Sequence, residues 1–310
     1  MKPGLHHDIA AADYHADPCD EPSLSSSIAK IILRDTPRHA WHAHPRLNPA
    51  FEPKGESKFD LGSVAHELIL GKGGGFDVLP EEFGDYKKGK AQELRDASRL
   101  AGRTPILAHQ FIDAQEMAGH VGARLAEIGI HPFALPTETV IVWHDWRDVL
   151  CRAMLDAADP EAAIVYDYKS TERGLSDEAI ARTIDALGYD LSAGFYLRGL
   201  NRVLPDLAGR WRFRWVFFET EEPFEVRVVE ATRPTLEIGD RKAAFALARW
   251  ERCLRSGEWP GWPNKIVAGG LNDFAVDKWI NREADDPDAH IAPISTRVLP
   301  SRPSELLEAV

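Results

Sequence analysis

The stretch Ile164-Val165-Tyr166-Asp167-Tyr168-Lys169, which follows Leu155-Asp156 at a short distance, decides the fold that we predict for this chain. Both segments are rich in apolar, β-branched and aromatic residues, which is typical of strands. Side chains alternate along a strand, so Asp167 and Lys169 project to the same face. If the two strands are neighbours, Asp156 lies beside Asp167 and Lys169. Two carboxylates and one ammonium group then converge at one end of a sheet.

These acids have the ligand chemistry that a hard divalent cation requires. Two carboxylates and a backbone carbonyl form an oxygen site of the kind that suits Mg²⁺ or Mn²⁺. Such an ion generates a hydroxide and neutralises charge on a phosphorane-like transition state, and a lysine beside it can orient the attacking water. The pattern therefore favours phosphodiester hydrolysis. Taken alone, it also fits an ion pair between Asp167 and Lys169 at the end of a strand.

The rest of the chain predicts an α/β or α+β architecture, in one compact domain with terminal arms. Helical spacing of apolar residues predicts helices at residues 28–33, 60–70, 88–129 (with a break near 102–105), 177–202 and 234–256. Strand composition predicts strands at residues 139–143, 149–156, 163–169, 212–218 and 224–229. Polar and Pro- or Gly-rich composition predicts an irregular N-terminal arm at 1–22, a loop at 42–58 and a partly disordered C-terminal tail at 266–310.

Composition limits the class of protein. The chain has 310 residues, 44% hydrophobic and 28% charged, which allows one or two ordinary globular domains. No run approaches ~18 consecutive apolar residues, so we expect no transmembrane helix. Cys19, Cys151 and Cys253 are far apart and odd in number, which excludes a disulfide framework and a four-cysteine metal cluster. The N-terminal residues lack a signal-peptide layout, and we therefore expect a cytoplasmic protein.

The net charge of −12 argues, at first, against a nucleic-acid partner, because phosphate binding normally leaves a basic footprint. Eight of these 12 net charges, however, lie in residues 1–27 and 271–310. Two basic runs, at 86–103 and 198–214, lie in the middle of the chain. They fit either solvated helix faces or local phosphate-binding patches on an acidic body.

Other motifs serve mainly to exclude functions. The chain contains no GxxxxGK[ST] phosphate loop and no GxSxG elbow, so nothing indicates an ATP-driven motor or a serine hydrolase. His39, His42 and His44 lie close together, but a zinc site is disfavoured because no cysteines stand at ligand spacing. The segment 210–215 alternates arginines with aromatic residues, which fits base stacking or, better, a strand with one buried face.

Several sequence blocks taken together resemble the PD-(D/E)xK nuclease superfamily. Within it, the resemblance is to the exodeoxyribonuclease VIII (RecE-like) nuclease domains that are common in prophages. The blocks follow the family order from about residue 20 to residue 265: residues 22–27, 36–41, 44–49, 59–68, 151–156, 167–171 and 188–196, then Trp250, Cys253-Leu254 and 257–260.

The resemblance implies an α/β fold with a restriction-endonuclease-like core, a central mixed sheet flanked by helices, over residues 23–265. It also implies the roles of individual residues. Asp156 and Asp167 match the two metal-binding acids, and Lys169 matches the catalytic lysine. His66 matches a helix histidine that approaches the metal.

Two further metal ligands follow from the same resemblance. The backbone carbonyl of Tyr168 is a plausible ligand. Glu138 matches an upstream glutamate that either binds a second metal or is simply exposed.

The helix after the lysine strand departs from the family pattern Tyr-x-x-Gln-x-x-x-Tyr. Tyr189 and Tyr196 are kept, but Ser192 stands at the glutamine position. Positions 189, 192 and 196 share a helical face, so Ser192 is expected to point toward the site. A serine is too short to reach what a glutamine reaches. The substitution of serine for glutamine therefore leaves open whether this chain has full activity or holds the scissile phosphate in the usual way.

By resemblance, the expected activity is Mg²⁺-dependent exonuclease digestion of linear double-stranded DNA from the 5′ end for recombination, with Mn²⁺ as an alternative ion. A homo-oligomer and a single-strand annealing partner are expected by the same analogy. The expected substrate-binding residues are Tyr189, Ser192, Tyr196, Lys87, Lys88, Arg198 and Arg202. The alternatives are a DNA-end-binding protein with little or no nuclease activity and a nuclease of endo or single-strand specificity.

Overall fold

The computed structural model describes residues 1–52, 60–131, 134–145 and 147–285. The strands within these ranges are β1 (Gly4–His6), β2 (Phe76–Val78), β3 (Thr104–Ile106), β4 (Thr137–His144), β5 (Leu150–Asp159), β6 (Ile164–Thr171), β7 (Arg212–Glu219) and β8 (Val226–Glu230). The helices are α1 (Ala11–His15), α2 (Ser26–Arg34), α3 (Pro37–Ala43), α4 (Asp60–Leu70), α5 (Gly89–Leu100), α6 (Ala108–Glu127), α7 (Asp177–Ala186), α8 (Tyr189–Val203), α9 (Arg233–Ser256) and α10 (Asp273–Asp285).

Strand β6 lies inside a six-stranded mixed sheet whose order is β1-β4-β5-β6-β7-β8. β5 runs antiparallel to both β4 and β6, whereas β7 is parallel to β6. Parallel neighbours need a crossover connection, and α7 and α8 provide it. β2 and β3 form a separate small parallel pair. The mixed central sheet flanked by helices that the sequence predicts is confirmed.

Apolar residues on alternating positions of β7 explain why it lies in the interior of the sheet. Phe213, Trp215 and Phe217 are buried in one hydrophobic cluster, and Val216 and Phe218 are buried in another. The first cluster includes residues of α2, α8 and α9, and the second includes residues of α4 and α6. Helices therefore cover both faces of the sheet. The aromatic positions of the 210–215 segment belong to a buried strand face, as the alternation favours.

The N-terminal segment 1–22 is not the irregular arm that the sequence predicts. β1 extends the sheet by pairing antiparallel with β4, where Leu5 is opposite Ile141. α1 follows it, and Tyr14 is buried. The segment is ordered because Arg152 of β5 reaches it from within the sheet, donating to the carbonyl of Tyr14 and lying 3.0 Å from Asp17.

Asp17 lies at the centre of a buried polar network that ties this segment to the body. Its carboxylate accepts hydrogen bonds from the N–H and hydroxyl of Ser23 and lies 3.3 Å from Nε2 of His44. Arg152 completes the network by donating to the Ser23 carbonyl at 2.9 Å. The ring of His44 also packs against Trp250. His44 is thus a structural partner of an aspartate.

Gly188 divides the region 177–202, which helical spacing alone treats as continuous. Its φ of 61° lies in the left-handed region, so α7 ends and α8 starts there. The break lets α8 leave the direction of α7 and pack against α9 and β4.

The chain divides into two compact units, Met1–Gly261 and Trp262–Val310. The second unit contains α10, so residues 273–285 of the predicted tail are helical instead of irregular. The disorder expected at the end of the tail concerns residues 286–310, which lie outside the described residues, as does part of the 42–58 loop. No helix in the described ranges has both the length and the apolar character that crossing a membrane requires.

Candidate active site

The end of the β5–β6 ladder brings Asp156 and Asp167 to the same place. The two strands are neighbours, as the site prediction requires, and their paired residues end at Ala157 and Tyr166. One residue further on, the carboxylate of Asp156 takes the place of a carbonyl and accepts a hydrogen bond from the Tyr168 N–H at 2.8 Å. The strands therefore stay joined through a side chain at the point where their ladder stops.

Lys169 is held against both carboxylates. Its Nζ lies 2.8 Å from Oδ2 of Asp167 and 3.7 Å from Oδ2 of Asp156. It also donates to the Tyr168 carbonyl at 3.1 Å. The strand-end ion pair that the sequence allowed is thus present, but it involves two acids from two strands instead of one.

His66 approaches the same acids from α4. Its Nε2 lies 3.3 Å from Oδ2 of Asp156, and its ring stands edge-on to Tyr168. Gly62 explains how the helix comes so close to β6: a Cβ at this position would lie 2.7 Å from Oγ of Ser170. The Gly-Ser-Val-Ala-His sequence therefore fixes both the helix position and the reach of the imidazole.

The pKa values of the two acids shift in opposite directions. Burial raises the pKa of Asp167 above its usual value, and Asp156 adds to the increase, although Lys169 lies beside it. Burial acts in the same sense on Asp156, but Lys169, His66 and the Tyr168 N–H outweigh it and lower the pKa of that carboxyl. Asp156 is therefore the acid that keeps its charge most firmly.

The pKa values of the two basic groups are raised. Burial disfavours the charged form of Lys169, but Asp167 and Asp156 outweigh it and raise its pKa. Burial also disfavours the charged form of His66, but the attraction of Asp156 outweighs burial and raises the pKa of His66. Titratable groups whose pKa values are shifted by burial together with a specific charged partner are typical of functional sites.

Glu138 lies opposite Asp156 across the β4–β5 ladder. Thr137 pairs with Ala157 and Thr139 with Leu155, and Glu138 between them has a left-handed φ of 48°. Burial raises the pKa of Glu138, with a smaller contribution from Asp156. Of the two expectations for this residue, the structure favours a half-buried glutamate facing the acids over a freely exposed one.

Most of these groups line one cavity of about 490 Å³. The predicted residues that line it are His66, Glu138, Asp156, Tyr168, Lys169 and Tyr196. Residues that the sequence reasoning missed line it as well: Ala11, Tyr14, His15, Ser26, Ser27, Glu67 and Lys72 among them. Ser26 and Ser27 belong to the 22–27 block of the resemblance, which assigns them no role, and Ser25 caps α2. No sequence signal placed the N-terminal segment beside the acids.

Helix α8 carries the tyrosines of the predicted substrate face. The Lys169 ammonium lies 5.5 Å from the ring centroid of Tyr189, and Tyr196 lines the cavity. Ser192 is buried on the same helix and is not among the residues that line the cavity. The expectation that Ser192 points toward the site is therefore not supported by the cavity lining.

Arg198, which the sequence analysis expects to bind substrate, does not line this cavity. Its side chain is 18% exposed and forms ion pairs with Asp145 at 3.2 Å and Asp240 at 2.6 Å. Both acids lie far from Arg198 in the sequence, so no local pattern reveals them. The arginine joins α8 to α9 and to the end of β4 instead of facing the acids of the cavity.

The other basic residues that the sequence singled out lie elsewhere on the surface. Lys87, Lys88 and Arg202 are exposed and do not line the cavity. In the two basic runs, several arginines pair with acids: Arg95 with Asp96, Arg99 with Asp60, Arg103 with Asp77, and Arg212 and Arg214 with Glu230. These pairs favour the interpretation of the runs as solvated faces.

The residues around Asp156 fit a divalent cation in their chemistry. Two carboxylates, one imidazole, a backbone carbonyl and Glu138 form a mainly oxygen donor set, as Mg²⁺ and Mn²⁺ prefer. Oδ2 of Asp167 is buried, and Nζ of Lys169 lies 2.8 Å from it, so the lysine occupies the position of a cation beside this oxygen. Within the same ranges, no three acidic, histidine or cysteine side chains already converge as a ligand group. Lys169 neutralises the acids in this arrangement.

Comparison with known proteins supports the fold and the family. Residues 31–267 match the family described as a "PDDEXK-like domain of unknown function (DUF3799)". No match was found among curated proteins. The crystal structure of a "Putative exonuclease" from Eubacterium rectale is similar, with a TM-score of 0.57 and 11% identity, covering 87% of this chain and 98% of that chain.

A phage related exonuclease from Haemophilus somnus aligns with a TM-score of only 0.34 and 10% identity, over 78% of this chain and 99% of that chain, and carries no argument about the fold. The family match spans both acid-bearing strands, the histidine helix and α8. The chain therefore belongs to the PDDEXK-like DUF3799 family, as the resemblance of its motifs predicts.

Proposed function

We propose that this protein is a metal-dependent DNA nuclease, and specifically an exonuclease. The observation that carries the proposal is the convergence of Asp156, Asp167, Lys169 and His66 at the end of the β5–β6 ladder, beside an open cavity. Membership of a PDDEXK-like family supports the same chemistry. The name given to the similar Eubacterium rectale protein, "Putative exonuclease", supports the narrower proposal of an exonuclease.

Each residue of the site has a role in this proposal. Asp156 and Asp167, with the Tyr168 carbonyl, His66 and Glu138, would hold the cation. When bound, the cation supplies charge neutralisation and a more acidic water. Lys169 remains protonated because both acids raise its pKa, so it can orient a water or stabilise charge on the phosphate without losing its own proton. Tyr189 keeps the lysine in place through its ring face.

The finer features of the activity form a second part of the proposal. We infer from the motif resemblance that the substrate is linear double-stranded DNA, digested from the 5′ end with Mg²⁺ in phage-type recombination. A homo-oligomer and a single-strand annealing partner complete this proposal. DNA-end binding with weak cleavage remains the alternative that Ser192 motivates.

A cleavage assay with matched variants tests the proposal. We expect the wild-type protein to release nucleotides from linear duplex DNA in Mg²⁺ and to stop when the metal is chelated. Asp167→Asn and Lys169→Met are expected to lower the rate at least about 100-fold, as removal of a charge-stabilising group does at many active sites.

Asp159→Asn is the matched control. Asp159 ends the same strand as Asp156, but among the described residues its carboxylate accepts a hydrogen bond from the Ala162 N–H alone, in a surface turn. We expect this variant to keep its rate within about twofold, since surface changes of this kind have small effects. Equal loss in the control and the site variants, or a wild-type protein that cleaves no DNA, would contradict the proposal.

A further inference from the structure

Lys30 lies on the face of α2 that borders the cavity. Ser26 and Ser27 of the same helix line the cavity. Lys30 follows them by four and three residues, and side chains at these spacings lie next to each other on a helix. The wall of the cavity therefore continues along α2 to an ammonium group that the motifs did not identify.

Helix α8 contacts α2, and we call the line of contact marked by Ser26, Lys30, Tyr189 and Tyr196 the α2–α8 seam. Near one end, Oγ of Ser26 is 3.5 Å from the hydroxyl of Tyr196. Near the other, Nζ of Lys30 is 5.1 Å from the ring centroid of Tyr189, and the side-chain carbons of Lys30 pass over Gly188. The same Tyr189 ring lies 5.5 Å from Nζ of Lys169. One tyrosine ring therefore bridges Lys30 and the proposed catalytic lysine.

The two lysines differ in how their charge is compensated. Lys169 has Asp167 at 2.8 Å and Asp156 at 3.7 Å. Lys30 has no carboxylate within 4.0 Å among the residues that the structure describes, although Asp190 is close enough to act on it electrostatically. Asp190 forms its ion pair with Lys242 instead, whose Nζ lies 2.6 Å from Oδ2.

This environment disfavours the charge of Lys30. Burial and then repulsion from Lys169 lower its pKa to about 8, and the attraction of Asp167 and Asp190 offsets this only in part. Burying an ammonium group without an ion-pair partner costs free energy. An anion placed in the seam would remove that cost, whereas Lys169 already has its anions.

We propose that Lys30 binds a phosphate of the DNA strand held in the α2–α8 seam, next to the proposed cleavage site. This inference rests on the proposed function, because it takes DNA as the anion. Lys30 then acts in substrate binding, while Lys169 acts on the reacting group. The bridging ring of Tyr189 sets the spacing between the two.

Binding and cleavage measured together test this assignment. Lys30→Met removes the charge but keeps the side-chain carbons over Gly188, and Lys30→Arg keeps the charge. The probe is a fluorescent linear duplex titrated in Ca²⁺, with kcat and KM measured in Mg²⁺. For Lys30→Met we expect about 10-fold weaker binding, since a hydrogen bond to a charged group contributes about 1.5 kcal/mol. The slope of log K against log salt should fall by about 0.9, the value for one lost phosphate contact.

The pattern across variants separates binding from support of the fold. We expect the loss to appear in Kd and KM with kcat within about threefold, and Lys30→Arg to restore binding. Arg255→Met removes a charge from an exposed helical ion pair and should leave the Kd and the salt slope unchanged. If Lys30→Met unfolds, Lys30→Gln takes its place in the same measurements.

Two results would overturn the inference, and they are distinguishable from failure of the proposed function. A wild-type enzyme that cleaves DNA, with a Lys30→Met variant of unchanged Kd, KM and salt slope, contradicts the role of Lys30 alone. A loss of kcat without a change in Kd would place Lys30 outside substrate binding. A wild-type protein that neither binds nor cleaves DNA contradicts both proposals together.

Discussion

Asp156 and Asp167 are the same residue type on neighbouring strands, yet their pKa values shift in opposite directions. The difference arises from what surrounds each carboxyl. Asp156 accepts from the Tyr168 N–H and faces His66, whereas Asp167 is almost completely buried behind Lys169. The sequence pattern identified both acids, because alternation along two strands is a local property. Their individual electrostatics depend on the helix that carries His66 and could not be predicted.

Other residues show where local patterns fail. Arg198 belongs to a basic run in the sequence, but its partners Asp145 and Asp240 come from a different strand end and a different helix. Lys30 is one of two cations in α2, and its proposed role depends on its contact with Tyr189 of α8. In both cases tertiary contacts decide whether a charged side chain is paired, and a single sequence does not contain that information.

The buried network of Asp17 leads to a stability prediction. Asp17→Asn leaves the guanidinium of Arg152 without its carboxylate, so we expect the free energy of unfolding to fall by about 3 kcal/mol at pH 7. Urea denaturation followed by circular dichroism measures this change. Asp20→Asn is the control, because the Asp20 side chain is exposed and its ion pair is with the N-terminal amine; we expect a change within about 0.5 kcal/mol.

The same network predicts a pH dependence with a defined sign. Burial opposes ionisation of Asp17, but His44, Arg152 and Ser23 outweigh it and hold its pKa at about 2. A pKa below the unfolded value of about 3.9 stabilises the folded state above pH 4, and the contribution of about 2 kcal/mol is lost as the pH falls toward 2. The stability difference between the wild-type protein and Asp17→Asn should therefore shrink over this range. A difference that stays constant from pH 4 to pH 2 would contradict this account.

Helix α8 is the element on which most of the site depends. It carries Tyr189 and Tyr196, and it crosses α9 where two glycines meet. A Cβ at Gly239 would lie 1.9 Å from the backbone carbonyl of Asp190, and one at Gly194 would lie 2.3 Å from the Asp240 nitrogen. The close crossing therefore fixes the depth at which the tyrosines stand beside the acids.

Gly239→Ala tests the importance of this crossing. The added methyl group has no space against backbone atoms, so we expect the free energy of unfolding to fall by about 1–3 kcal/mol. Nuclease activity should also fall, because α8 moves relative to β6. Gly122→Ala in α6 is the matched control: nothing lies within 4 Å of its Cβ position, and we expect about 0.5–1 kcal/mol of stabilisation. Equal effects of the two substitutions on thermal denaturation would contradict the role of the crossing.

At the scale of elements, long periodic segments were predictable and short ones were not. The strands β4 to β7 and the helices α4 and α9 follow directly from composition and spacing. β1 has three residues and α1 has five, which is too short for a periodic signal. Their order comes from pairing with β4 and from contacts with Arg152. The predicted helical region 177–202 also needed Gly188 to be interpreted as a left-handed break.

At the scale of the whole molecule, the net charge of −12 has a different meaning once the site is located. Asp156, Asp167 and Glu138 contribute to that charge and are the proposed cation ligands. Acidic ligands do not repel DNA when a cation is bound, because the ion inverts the local field. The acidic ends of the chain and the paired arginines leave few uncompensated cations in the described residues to attract DNA without a metal.

This charge distribution predicts that DNA binding depends strongly on a divalent cation. We expect weak binding of linear duplex in EDTA and at least about 10-fold tighter binding in Ca²⁺, measured by fluorescence anisotropy at fixed ionic strength. Asp156→Asn should reduce this dependence, because it removes a proposed ligand. Glu283→Gln in α10 removes one negative charge elsewhere and should preserve it. Equal affinity in EDTA and Ca²⁺ would contradict the account.

The central claim, an exonuclease that acts at DNA ends, is tested most directly by comparing substrate forms in one time course. The wild-type protein is incubated in Mg²⁺ with linear duplex and with covalently closed circular duplex of the same sequence, and acid-soluble nucleotides are measured. The account predicts progressive release of nucleotides from the linear form and none from the closed circle. Cutting of the closed circle, or stable binding to linear ends without release of nucleotides, would contradict it.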